Sequence, residues 1–157
     1  KDVETEIWAH TCWGNPNQQS FYWERPSYDR ALDYFLDMKC DVIDLECASN
    51  QARDAALFKN VDLKKYGKKI GIGVVDHTRT TVESPEMVAD TIRRALEFIP
   101  EDRLVITADC GFGREGLSRR IAYYKCVSLV LGTNIVRNEL GLEEKYVAAS
   151  DNLYSFS

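Results

Sequence analysis

The sequence predicts an α/β fold in which helices cover a parallel sheet, and three observations point there. Short apolar strands alternate with amphipathic helical segments four times along the chain. The best-marked helix opens on Ser84-Pro85-Glu86, which supplies a cap, a proline at the first helical position and an acid in the first turn. The 157 residues, 45% hydrophobic and 29% charged, suffice for one domain with a real core or for a piece of something larger, and two full domains would not fit.

Taken in order, Glu6 to His10 is the first strand candidate. A long loop follows, then a helix from about Tyr28 to Lys39 with Ser27 as its N-cap. Asp41 to Glu46 reads as the second strand and Gln51 to Phe58 as a short helix. Lys69 to Val75 is the third strand, after the turn signal at Gly67. The helix that begins at Ser84 presents Val88, Ile92, Ala95, Leu96 and Ile99 on one face. Arg103 to Ala108 is the fourth strand, and Gly116 to about Leu140 is largely helix. Four βα units with right-handed crossovers make about half of a (β/α)8 barrel, since a complete one needs roughly 250 residues. The expectation is therefore half of a TIM barrel spanning residues 1–157. A small open doubly wound sheet is the alternative, although no Gly-rich phosphate turn follows the first strand.

Composition excludes several classes. Twenty basic against twenty-five acidic residues give a net charge of −5, without the basic excess that nucleic acid demands. No apolar run approaches the roughly 20 residues that cross a bilayer. Lys1-Asp2-Val3-Glu4 lacks the apolar core of a signal peptide, and a cytoplasmic location is expected. Five cysteines, an odd number, favour metal ligation or burial over a disulfide framework.

The metal-capable residues fall where the predicted strands end. His10 and Cys12 close the first, Glu46 the second, Asp76 and His77 follow the third, and Cys110 follows the fourth. In a parallel barrel those ends form one face, the one that carries active sites. The spacing of His10 and Cys12 sets both side chains on the same side of an extended chain. Two thiolates, one imidazole and one carboxylate suit zinc, which prefers nitrogen and sulfur donors in tetrahedral geometry. Cys40, Cys47 and Cys126 read as small buried residues, and Arg93-Arg94 and Arg119-Arg120 as solvated helix faces.

His10-Thr11-Cys12-Trp13-Gly14-Asn15, Asp41-Val42-Ile43-Asp44-Leu45-Glu46, Gly73-Val74-Val75-Asp76, Val82-Glu83-Ser84-Pro85-Glu86 and Ala108-Asp109-Cys110-Gly111-Phe112 together resemble the C-terminal part of cobalamin-independent methionine synthase and its relatives. The resemblance implies that residues 1–157 are the C-terminal half of a TIM-barrel catalytic domain, with the N-terminal half absent and zinc held by His10, Cys12, Glu46 and Cys110. It also implies methyl transfer from a donor such as a folate to a small-molecule thiol such as homocysteine, with no nucleic acid and no membrane as partner. Asp76 and His77 are the nearest candidates for protonating the leaving group. Here the chain departs from the family, in which a histidine follows the aspartate by two positions, where this sequence has Thr78. A shift of one can turn a side chain to the other face, and the alternative for His77 is a surface or hinge histidine.

A related alkyltransferase with an epoxide or corrinoid donor and an acceptor of the coenzyme M type stays open, as does a non-catalytic zinc-stabilised fragment. Uroporphyrinogen decarboxylase shares the barrel but needs no metal. The aromatic loop from Trp13 to Pro26, with Phe21, Tyr22 and Trp23, reads either as a lid or as packing against absent strands. A half-barrel leaves two open sheet edges, which the missing barrel half or a second chain is expected to cover.

Overall fold

The computed structural model describes residues 4–13, 27–113 and 117–148. Its centre is a four-stranded parallel sheet in the order β1-β2-β3-β4, formed by β1 (Trp8–Thr11), β2 (Val42–Leu45), β3 (Lys69–Gly73) and β4 (Leu104–Thr107). The helices are α1 (Leu32–Asp37), α2 (Pro85–Leu96) and α3 (Arg119–Glu139). The expected α/β order is present, and strand alternation divides the sheet into two surfaces.

Ile43, Leu45, Ile70 and Ile72 lie on one surface and are almost wholly buried with Val88, Ala89, Ile92, Ala95 and Ile99. The helical face read from the sequence is the one that packs. Ser84 caps α2 by accepting from the Met87 N–H at 3.3 Å. Gly132 of α3 sits against α2 so closely that a Cβ there would lie 2.5 Å from the Val88 side chain.

The second surface carries His10, Asp44, Gly71, Gly73 and Thr107. Register puts His10 opposite Asp44, Asp44 opposite Gly71 and Gly73 opposite Thr107. The two glycines are required by what crosses them. A Cβ on Gly71 would lie 2.7 Å from Asp44 Oδ1, and one on Gly73 would lie 2.0 Å from Asp109 Oδ1. Polar side chains thus fill the inner layer where apolar ones would otherwise pack.

Local differences from the expected elements have tertiary causes. The helix expected from Tyr28 begins as a 3-10 turn, Tyr28–Ala31, before α1. Asp54 draws its start inward, accepting from Ser27 Oγ at 2.9 Å and from the Tyr28 N–H at 3.4 Å. The segment expected to be helical from Gln51 is a 3-10 turn, Arg53–Phe58, entered through Gln51 and Ala52, whose φ values are 56° and 59°. Two successive non-glycine residues in the left-handed region reverse the chain behind β2. The Cys47 carbonyl accepts from both Asn50 and Ala52 N–H groups and holds that reversal. Of the cysteines expected to be buried, Cys47 is, Cys40 is half-buried and Cys126 is exposed, because Cys126 follows Lys125, the residue that α3 turns inward.

β1 and β4 are the edge strands, and Ile7 and Trp8 are about half exposed at the β1 edge. Among the described residues no helix is long and apolar enough to cross a membrane.

Candidate metal centre

β1 delivers His10 and Cys12, and the turn after β4 delivers Cys110. Their donor atoms all lie within 4.8 Å of one another, and His10 Nε2 is 3.3 Å from Cys110 Sγ. Donors on one tetrahedral zinc stand about 3.5 Å apart, given Zn–N and Zn–S bonds of roughly 2.1 and 2.3 Å. Three of the four predicted ligands therefore have both the chemistry and the spacing for one ion.

The contact also decides between the two sheet architectures. β1 and β4 are opposite edges of the sheet, and three strand spacings across a flat sheet would separate them by about 14 Å. A His10 Nε2 to Cys110 Sγ distance of 3.3 Å fits strand ends that curl towards each other, as barrel strands do.

His10 is fixed from behind. Its Nδ1 is 2.7 Å from Asp44 Oδ2, and Asp44 Oδ1 accepts from Thr107 Oγ1 at 2.6 Å. Sequence reasoning misses both Asp44 and Thr107. The available signal is that Asp44 stands two residues before Glu46, on the same side of β2.

The fourth predicted ligand, Glu46, is fully buried and falls into a neighbouring group with His77 and Asp109, whose donor atoms are also mutually within 4.8 Å. Its Oε2 accepts from the Trp13 N–H at 2.9 Å. The peptide that joins Cys12 to Trp13 thus links the two groups. Asp109 Oδ1 accepts from the Cys47 and Ala48 N–H groups at 2.7 Å each. Burial pushes the Asp109 carboxyl up to about 7, against the pull of these backbone donors. Asp109 ties the β4 turn to the segment just beyond Glu46, so Cys110 and Glu46 are positioned by one carboxylate. Cys47 faces away from Glu46 into the core, and burial, then nearby carboxylates led by Asp109, raises its thiol well above the ordinary range.

His77 is 1% exposed, so it is not a surface histidine. It and Asp76 point to different places, as a one-residue shift dictates. Asp76 Oδ1 accepts from the Thr78 N–H at 2.8 Å and Thr78 Oγ1 at 2.6 Å, and Oδ2 is 3.3 Å from Arg79 Nε. Its backbone N–H donates to Glu83 Oε1 at 2.9 Å. Glu83 Oε2 in turn accepts from Lys125 Nζ at 2.7 Å, and that lysine is fully buried. A chain of contacts from α3 therefore braces the turn that presents His77. Replacing Lys125 by Met strands the Glu83 charge and is expected to cost about 3 kcal/mol, read as a lower urea midpoint.

A cavity of about 260 Å³ lies beside this turn, lined among others by Ser49, Gln51, Asp76, Arg79 and Arg94, and it is distinct from the thiolate group. Trp13, whose backbone N–H donates to Glu46, stacks on Tyr28 with ring centroids 4.2 Å apart. Phe21, Tyr22 and Trp23 lie outside the described residues.

A curled parallel sheet, helix-covered on one surface and carrying nitrogen, sulfur and carboxylate donors at its strand ends, is a portion of a (β/α)8 barrel. Residues 2–126 match the family described as cobalamin-independent synthase, catalytic domain. The chain belongs to the cobalamin-independent methionine synthase family. It is 39% identical over 145 residues to a methionine synthase of Thermococcus kodakarensis, an alignment that takes in 92% of this chain and 38% of that protein. A methionine synthase of Saccharolobus solfataricus is 38% identical over 143 residues, covering 89% of this chain and 37% of the relative. The chain thus spans well under half the length of these relatives. A solved structure of a B12-independent methionine synthase from a Shewanella species, in complex with selenomethionine, superimposes with a TM-score of 0.67 at 28% identity, covering 88% of this chain and 40% of that one.

Proposed function

We propose that the protein containing this chain binds one zinc ion through His10, Cys12, Cys110 and Glu46 and transfers a methyl group to a thiol, with homocysteine as acceptor and a methylfolate as donor. The observation that carries the reading is the meeting of His10, Cys12 and Cys110 at the ends of opposite edge strands. Family membership supports it, and the selenomethionine in complex with the Shewanella enzyme is an analogue of the expected product. Zinc in such a site lowers the pKa of an acceptor thiol, so that thiolate is available at neutral pH.

The chain's residues supply the rest. His10, Cys12 and Cys110 form a soft donor set that favours sulfur over hydroxide chemistry. Glu46, which falls in the neighbouring group with His77 and Asp109, would complete the set as its carboxylate donor and would be the ligand most readily exchanged for a substrate thiol. In the transfer a sulfur–carbon bond forms, the carbon–nitrogen bond of the donor breaks, and the nitrogen takes a proton. His77, buried beside Glu46 and Asp109, is the proposed holder of that proton, and Asp76 anchors the turn that presents it.

Cobalt substitution of the full-length protein tests the reading. The visible spectrum is expected to change when homocysteine is added, as a carboxylate ligand is replaced by sulfur. A spectrum indifferent to thiol would point instead to a closed structural site with all ligands retained.

A further inference from the structure

The inner surface of the sheet holds a polar relay that runs through three strands and ends on His10. Thr107 of β4 donates to Asp44 Oδ1 at 2.6 Å, and Asp44 Oδ2 lies 2.7 Å from His10 Nδ1 across the β1–β2 register. A carboxylate only accepts, so Nδ1 carries the ring proton and Nε2 is left with its lone pair. Nε2 faces Cys110 Sγ at 3.3 Å, the position from which it would share a metal ion with that sulfur. β3 makes room for the arrangement, since Gly71 leaves the space that a Cβ 2.7 Å from Asp44 Oδ1 would fill. Asp44 is only 9% exposed, so water does not compete effectively for its oxygens.

We propose that Asp44, oriented by Thr107, is a positioning residue that fixes the tautomer and ring angle of His10 and thereby sets how tightly the site holds its metal. The inference rests on the proposed zinc site for its consequence, and on this chain's geometry for its cause. A carboxylate behind a ligating imidazole raises its basicity and holds its plane, and such outer partners are typically worth 10- to 100-fold in metal affinity.

Two readouts on the full-length protein test it. Nitrogen-15 spectra of the metal-free protein are expected to show His10 as the Nδ1–H tautomer. In competition with a chromophoric chelator, D44A is expected to lose about 100-fold in zinc affinity, D44N about 10-fold and T107V less than 10-fold. A His10 tautomer protonated on Nε2 in the unmutated protein overturns the proposal, and needs no variant to fold. So does wild-type affinity in both Asp44 variants, including the case where only their melting temperatures fall. If the unmutated protein takes up no zinc, the zinc reading fails and the tautomer alone decides the role of Asp44.

Discussion

Changing Cys110 to alanine in the full-length protein is expected to reduce zinc affinity by about 100-fold or more while leaving the barrel folded. Structural zinc sites of four ligands are worth roughly 10–16 kcal/mol, so one ligand carries about 3 kcal/mol, or two decades in affinity. Cys110 is nearly buried, and its removal empties a small volume at the end of a strand rather than in the apolar layer beneath the helices. The check is a chelator titration alongside far-ultraviolet circular dichroism. Unchanged zinc retention with an unchanged fold would show that the thiol is not a ligand, and would remove the observation on which the functional reading stands.

Gly73→Ala should be the most destabilising single methyl in the inner layer. The added carbon would lie 2.0 Å from Asp109 Oδ1 and 2.9 Å from Asp109 Cα, so a side-chain rotation alone cannot relieve it. Moving Asp109 breaks its hydrogen bonds to Cys47 and Ala48 and displaces the residue before Cys110. Overpacking together with buried donors left unmade is expected to cost about 3 kcal/mol or more, a fall in Tm of roughly 10 °C for a domain of this size. Gly113→Ala is the control, because among the described residues nothing lies within 4 Å of a Cβ built there. Equal melting temperatures for the two variants would mean that Asp109 does not cross Gly73 as described.

How much of this is legible in the sequence varies with how local the cause is. α2 is readable because cap, proline and apolar period all lie within its own turns. The strand ends are readable because His10 and Cys12 sit at a spacing that has only one geometric meaning in an extended chain. The split helix after Ser27 is not readable, since the group that reshapes it, Asp54, is 27 residues from Ser27. The same holds for Asp44 and Asp109. Each looks like an ordinary acid beside a more conspicuous neighbour, and its partners are 34 and 62 residues away, on His10 and Cys47. The placement of Glu46 with His77 rather than with the thiolates also depends on how β1 and β2 end relative to each other, which no linear spacing encodes.

His10 lies on the first strand of the sheet and Cys110, 100 residues later, in the turn that follows the last. Their meeting cannot precede the assembly of every strand between them, and the entropy of closing so large a loop is met by contacts elsewhere. If zinc is held there as proposed, the full donor set exists only once all four strands are in place, and metal affinity is expected to fall when they separate.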